Sequence, residues 1–478
     1  MYPKNAHLLY ITEKSIMYHI WNITFFIIAL KSKKKENFGG SIMSAFDKII
    51  GYSYEKKELE QISDVLKNKS VYEKLGVSSP KGLLLYGKPG VGKTLMASAL
   101  IEESGRKVFV CRKDQPNGDF IKAIKATFDE AVENAPSIVF LDDMDKFANG
   151  DELHRDAEEY VTVQSCIDEI KGTEVFVLAT ANNIKNLPHS LLRAGRFDRI
   201  IVVNVPHGSD AVKIISHYLN GKKFVSGVDA NTIAKIIDGR SCAELETVIN
   251  EAGLYAGYER AEEITMDHFM NACMRTIFNA QDASIDDYDP NRYTNLSDGQ
   301  NIVSQIVYHE AGHAVISEIL CPESVTLIST RGRKGYSGGF TSYYNDYSRT
   351  PLTWEQSRII SALGGMAALE QKYGIVDGGN ESDLDDAFSL TRDLVINNCV
   401  CGFHLHSRGY SDSADLESKQ EQAIASEVER YYKKAKEIIS VNSDFFEKIA
   451  TALLKKGLLN MADIQEIKKG CTITQVAI

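Results

Sequence analysis

The chain has 478 residues, 44% hydrophobic and 25% charged, which suits roughly two or three folded domains and excludes a disordered or fibrous polymer. Its formal net charge of -11 argues against a nucleic-acid partner, because phosphate binding draws on clustered Lys and Arg. The eight cysteines are scattered with no C-x-x-C pair, so they read as free thiols in a reducing compartment rather than a disulfide framework.

Residues 1–42 are an N-terminal extension with two readings. Ile16–Leu30 is mostly apolar and is followed by Lys31, Lys33, Lys34 and Lys35. A spanning helix needs about 20 apolar residues, and this run is shorter and holds His19 and Asn22. Were it inserted, the lysines would keep the following domains on the cytoplasmic side. In the second reading Met43 is the true start and the extension is an over-extended open reading frame, with Gly39-Gly40 encodable as a ribosome-binding sequence.

From Ala45 to about Val205, short apolar strands alternate with helices, the pattern of a parallel sheet covered by helices. Gly82–Tyr86, Lys107–Cys111, Ser137–Asp142, Glu174–Thr180 and Arg199–Val205 are the predicted strands. An α/β unit over 43–208 is therefore expected, followed over 209–281 by a small helical subdomain with the 3.6-residue periodicity of Ala243–Glu259. Residues 282–299, polar, acidic and broken by Pro290, read as a linker. From 300 to 478 helices dominate, interrupted by one β-like stretch, Ser324–Tyr344.

Gly87-Lys88-Pro89-Gly90-Val91-Gly92-Lys93-Thr94 matches G-x-x-x-x-G-K-[ST] between a predicted strand and a predicted helix. Its glycines let backbone N–H groups approach phosphates; Lys93 supplies a charge to the terminal phosphates of ATP and Thr94 a hydroxyl to Mg2+. The apolar strand ending in Asp142-Asp143 delivers carboxylates toward that magnesium and the attacking water. Asn182 lies just past the strand in Val177–Asn183, within reach of the terminal phosphate, and Leu191–Arg199 closes the region with Arg196 and Arg199.

This series resembles the AAA+ motor of FtsH-type ATP-dependent zinc metalloproteases. The resemblance implies a P-loop AAA+ module, its parallel sheet and helical lid followed by a mainly α-helical metallopeptidase domain. It implies that Asn182 is the phosphate sensor and that Arg196 and Arg199 are arginine fingers reaching a neighbour's nucleotide. A homo-oligomeric ring follows, usually a hexamer.

His309-Glu310-Ala311-Gly312-His313 is H-E-x-x-H within an apolar helical run. Residues four apart share a helix face, so both imidazoles can hold one Zn2+, with Glu310 beside it to take a proton from water. A third ligand is needed. The resemblance points to Asp383, which opens a helix after Gly378-Gly379-Asn380, with Glu381, Asp385 and Asp386 the rivals by chemistry alone. Ser361–Glu370 resembles the family's Gly-Gly segment between the ligands. Cys399, Cys401, His404 and His406 have metal-binding side chains but match no common structural spacing, and no second metal is expected there.

Three features depart from the family. Asp143 stands where the catalytic carboxylate is a Glu. Pro116-Asn117-Gly118 replaces the aromatic-apolar-glycine pore loop, with Phe120 the nearest aromatic. There is no pair of full-length membrane spans with a domain between them. The expected function is an ATP-dependent zinc endopeptidase acting on unfolded or tagged polypeptides in the cytoplasm, or on the cytoplasmic side of the membrane if residues 16–30 insert. The alternative is an ATP-dependent remodelling ring with weak or selective proteolysis. Lower still stands a plain zinc peptidase whose motor only scaffolds the ring.

Overall fold

A computed structural model describes residues 44–114, 116–148, 157–225, 227–280, 302–332, 338–344, 352–375, 381–407 and 413–478. The N-terminal extension, the expected linker 282–299 and Gly378–Asn380 lie outside these residues. Among the described residues, no helix is long and apolar enough to cross a membrane.

The first half is built on a parallel sheet of five strands in the order β2-β3-β4-β1-β5: Lys107–Cys111, Ser137–Leu141, Val175–Ala181, Gly82–Tyr86 and Arg199–Val202. The interior strands β3 and β4 are buried along their whole length, whereas the edges β2 and β5 are mostly exposed or half-buried. That difference follows from position: an interior strand covered by helices on both faces has no solvent side. Four helices, Gly208–Leu219, Ala230–Ile236, Cys242–Glu259 and Met266–Thr276, then replace strands, as the periodicity predicts. Capping boxes at Ser241 with Glu244 and at Thr265 with His268 start the last two by satisfying their first N–H groups.

The second half is helical around Ile302–Leu320, whose apolar residues Val307, Ala311, Val315 and Ile319 are buried in a core shared with Leu352–Ala362, Gly364–Tyr373, Ala414–Val441 and Ser443–Lys456. The β-like stretch resolves into β6 (Val325–Ser329) and β7 (Phe340–Tyr343), paired antiparallel. A strand the sequence did not announce, β8 (Leu458–Asn460), pairs with the other side of β6. Three residues are too few to show an alternating pattern.

Buried Glu318, near the end of the central helix, accepts from Gln465 Nε2 at 2.8 Å, Lys468 Nζ at 3.0 Å and the Val325 backbone N–H at 3.1 Å. It thereby ties that helix to β6 and to the helix Met461–Lys469. The two halves meet where Phe278 packs on Phe340, ring centroids 4.9 Å apart, and where Lys235 pairs with Glu323 at 3.0 Å.

Candidate active sites

Parallel strands bring their C-terminal ends to one edge of a sheet, and three of them converge here. Tyr86 lies in register with Ala181, and β3 runs beside β4, so the loop from Gly87, the pair Asp142-Asp143 and Asn182 emerge together. A cleft of about 510 Å³ at this edge is lined by Pro89–Met96, Asp143, Lys146, Asn182, His217, Tyr218 and Cys242. This lies in the range of ordinary small-molecule sites. Lys93 begins the helix Lys93–Ser104 and is buried, which pulls its pKa down. Its Nζ donates to the Gly87 and Lys88 carbonyls at 2.8 and 2.9 Å and to Asn182 Oδ1 at 2.9 Å. Asn182 Nδ2 donates in turn to Asp143 Oδ1 at 3.2 Å.

Four neighbours that the sequence reading did not single out hold this set. Thr180 donates to Asp142 Oδ1 at 2.8 Å and accepts from the Asp143 backbone N–H at 2.9 Å. Asp145 accepts from the Asn182 and Asn183 backbone N–H groups at 3.0 and 3.2 Å. Arg112 pairs with Asp142, and Lys146 pairs with Asp143 at 2.7 Å. Thr180 and Asp145 each lie two residues from a residue already chosen, which was the available signal.

Neither Arg196 nor Arg199 is among the residues lining this cleft. Arg196 donates to Asp168 at 2.8 and 3.3 Å, to Gln164 at 3.0 Å and to the Ser190 carbonyl, so four of its five N–H groups can be engaged within its own chain. Together with Lys171, Arg196 holds the Asp168 carboxyl at about 2. Arg199 is half exposed on the edge strand and pairs with Glu58 at 3.6 Å. The sequence treated the two arginines alike; the fold engages Arg196 with several partners of its own chain and leaves Arg199 half exposed.

The loop expected at Pro116-Asn117-Gly118 starts a helix, Asn117–Glu133, with Pro116 as its cap. Phe120 is not available as a substitute for the missing loop aromatic. It is fully buried, edge-on to Phe147 with ring centroids 4.9 Å apart, because it falls on the inward face of that helix. The segment Arg112–Pro116 that joins β2 to the helix contains no aromatic residue.

In the second half, His309 and His313 face the same side of their helix, and Asp383 comes from the first turn of the helix Glu381–Ile396. The nitrogen pair is 2.9 Å apart, and Asp383 Oδ2 lies 3.1 Å from His309 Nε2 and 3.3 Å from His313 Nε2. Four donors about 2.0–2.1 Å from a tetrahedral zinc are themselves about 3.3 Å apart, so the three atoms already occupy one face of that polyhedron. His313 Nδ1–H donates to the Ser361 carbonyl at 2.7 Å, which leaves the Nε2 lone pair directed at the metal position. Among the described residues, this is the one group of three side chains able to share a metal ion. Cys399, Cys401, His404 and His406 form no such group; His406 instead bonds the Ile396 carbonyl at 2.8 Å.

Burial works against a charged Asp383, yet the two imidazoles hold its carboxyl well below the usual range. Burial likewise opposes a charged His313, but Asp383 and then Glu310 raise it to about 9. A cation binding here competes with protons for the same donor atoms. Glu310 is 5% exposed, and burial pushes its carboxyl up. Two close approaches fix the ligand helix. A Cβ on Gly312 would lie 2.4 Å from the Gly364 carbonyl, and one on Gly365 would lie 2.3–2.6 Å from three atoms of the His309 ring.

Comparison with known proteins finds a family match in each half of the chain. Residues 83–205 match the ATPase family associated with various cellular activities (AAA), and residues 300–467 match peptidase family M41. The chain is 31% identical over 466 residues to the ATP-dependent zinc metalloprotease FtsH of Caldicellulosiruptor bescii, covering 88% of this chain and 71% of that protein. It is 29% identical over 453 residues to FtsH 2 of Sphaerobacter thermophilus, covering 90% and 67%, and 30% identical over 470 residues to FtsH of Nitrosococcus oceani, covering 90% and 70%. An AAA ATPase segment and an M41 peptidase segment in one chain, alike to these proteins over most of its length, place it in the FtsH family of ATP-dependent zinc metalloproteases, with zinc, ATP and magnesium as cofactors.

Proposed function

We propose that His309, His313 and Asp383 hold the zinc and that Glu310 is the proton acceptor in cleavage of polypeptides delivered by the ATPase module. The observation that carries this reading is the 2.9–3.3 Å donor triangle with a buried Glu310 on the same helix. When bound, zinc supplies Lewis acidity that polarises the scissile carbonyl and acidifies water. Glu310 takes the proton of the attacking water at its carboxylate and passes it to the leaving amine. In the motor, Lys93 and the loop Gly87–Gly92 bind the phosphates, Thr94 and Asp142 serve magnesium, Asp143 orients the hydrolytic water, and Asn182 links Lys93 to Asp143.

The protein acts on polypeptides as an oligomeric ring. The finer assignments are a hexamer, in which Arg196 and Arg199 face the neighbouring subunit's nucleotide, and a location in the cytoplasm or on its membrane face. The division is an α/β unit over 43–208, a lid over 209–281, a linker over 282–299 and a peptidase over 300–478.

Gly365→Ala is expected to lower zinc affinity by roughly 10–100-fold, the usual effect of disturbing a ligand's orientation. The added methyl group displaces the His309 ring, while ATPase activity persists. Zinc content measured against a chelator series checks this; full retention of zinc would contradict it.

Pulling strength is expected to be low. A gripping aromatic contributes around 1.5–3 kcal/mol of contact with substrate, and Phe120 is committed to the core. A tagged, stably folded reporter should survive while a destabilised version of it disappears, and disappearance should require ATP and stop with a zinc chelator. Equal loss of both reporters with ATP would show that another residue grips. Degradation indifferent to the chelator would overturn the zinc reading.

A further inference from the structure

We propose that Thr341 is a positioning residue for Glu310, its hydroxyl fixing the carboxylate so that one oxygen is held and the other is presented to the attacking water. The proposal rests on Glu310 being the proton acceptor. Thr341 Oγ1 lies 2.8 Å from Glu310 Oε2, the one side-chain donor to this carboxylate among the described residues, and 3.3 Å from the Glu310 backbone carbonyl. A glutamate has three side-chain torsions, and a buried one with no partner would spend its time in rotamers that do not face the substrate. A single hydroxyl proton given to Oε2 leaves Oε1 as the acceptor.

The hydroxyl can do this because β7 is itself fixed on three sides. Thr341 is paired in register with Ile328 of β6. Immediately before the strand, Gly339 lets it press on the helix that carries Glu310, since a Cβ there would lie 2.8 Å from Glu310 Cγ and 2.5 Å from the Ser329 carbonyl. Phe340, between Gly339 and Thr341, packs at a tilt against Phe278 of the ATPase half, ring centroids 4.9 Å apart. The strand that positions the base is therefore clamped between the peptidase sheet and the motor, so a displacement of Phe278 would be felt at Glu310 through one strand.

The test uses full-length Thr341→Val, which keeps the shape and removes the donor, and Thr341→Ser, which keeps the donor. For a short unstructured peptide, Thr341→Val should lower kcat roughly 10–100-fold, the worth of one hydrogen bond to a charged group. KM, zinc content and ATPase activity should be unchanged, and Thr341→Ser should recover most of the loss. A wild-type kcat in Thr341→Val, a loss that parallels loss of zinc, or a failure of Thr341→Ser to rescue would each overturn the proposal. Glu310→Gln is run alongside. If it is inactive while Thr341→Val is normal, only the positioning role falls; if Glu310→Gln still cleaves, the assignment of the proton acceptor falls instead.

Discussion

Glu310→Gln should lower peptide cleavage by about 10²–10⁴-fold, the usual contribution of a positioned acid–base group. The substitution keeps length and shape and removes only proton affinity. The amide can still meet the Thr341 hydroxyl with its carbonyl oxygen, so the local packing survives. His309, His313 and Asp383 are untouched, and zinc content should stay near that of the wild type. ATP hydrolysis should also persist, because the nucleotide cleft is built from the other half of the chain. Cleavage of a fluorogenic peptide, with zinc measured on the same preparation, decides the matter. A residual rate near wild type would assign the proton transfer to another group.

Lys93→Ala should abolish productive ATP binding, and Arg196→Ala or Arg199→Ala should allow binding but slow hydrolysis by about 10³-fold or more, the range of an arginine finger. The physical reason for separating the two classes is spatial. Lys93 is buried in the cleft and bonded to Asn182, whereas neither arginine lines that cleft in its own subunit. Mixing Lys93→Ala subunits with Arg196→Ala subunits should restore part of the activity. At such an interface one chain supplies an intact nucleotide site and the other an intact arginine. Because Arg196 is bound to Asp168, Gln164 and Ser190, its removal also loosens its own subunit. Arg199→Ala is the cleaner variant and should complement more fully. No recovery in either mixture, with each variant still forming rings, would place the hydrolytic arginines elsewhere.

Much of this was legible in the sequence. The strands Gly82–Tyr86 and Lys107–Cys111 were bounded to the residue, because apolar runs between turn residues and helix starts leave little freedom. The phosphate loop and H-E-x-x-H were readable for the same reason: each chemistry sits in one short segment, on one turn or one helix face, so spacing along the chain maps directly to spacing in space. Asp383 lies 70 residues beyond His313. Spacing alone could not separate it from Glu381, Asp385 and Asp386; the resemblance pointed to it, and the donor triangle then singled it out.

What only the tertiary structure decided depends on contacts between segments remote in sequence. Phe120 is the aromatic nearest the expected pore loop in sequence, and the helix Asn117–Glu133 turns it into the core against Phe147. Arg196 and Arg199 look equivalent until Asp168 claims the first. The orientation of His313 by Ser361, the room that Gly365 leaves for His309, and the grip of Thr341 on Glu310 have no local sequence signal. Local propensity and periodicity set the elements and the short motifs, since those are properties of neighbouring residues. The outer shell that holds each catalytic group in place is a property of packing, and it exists only once distant helices and strands have met.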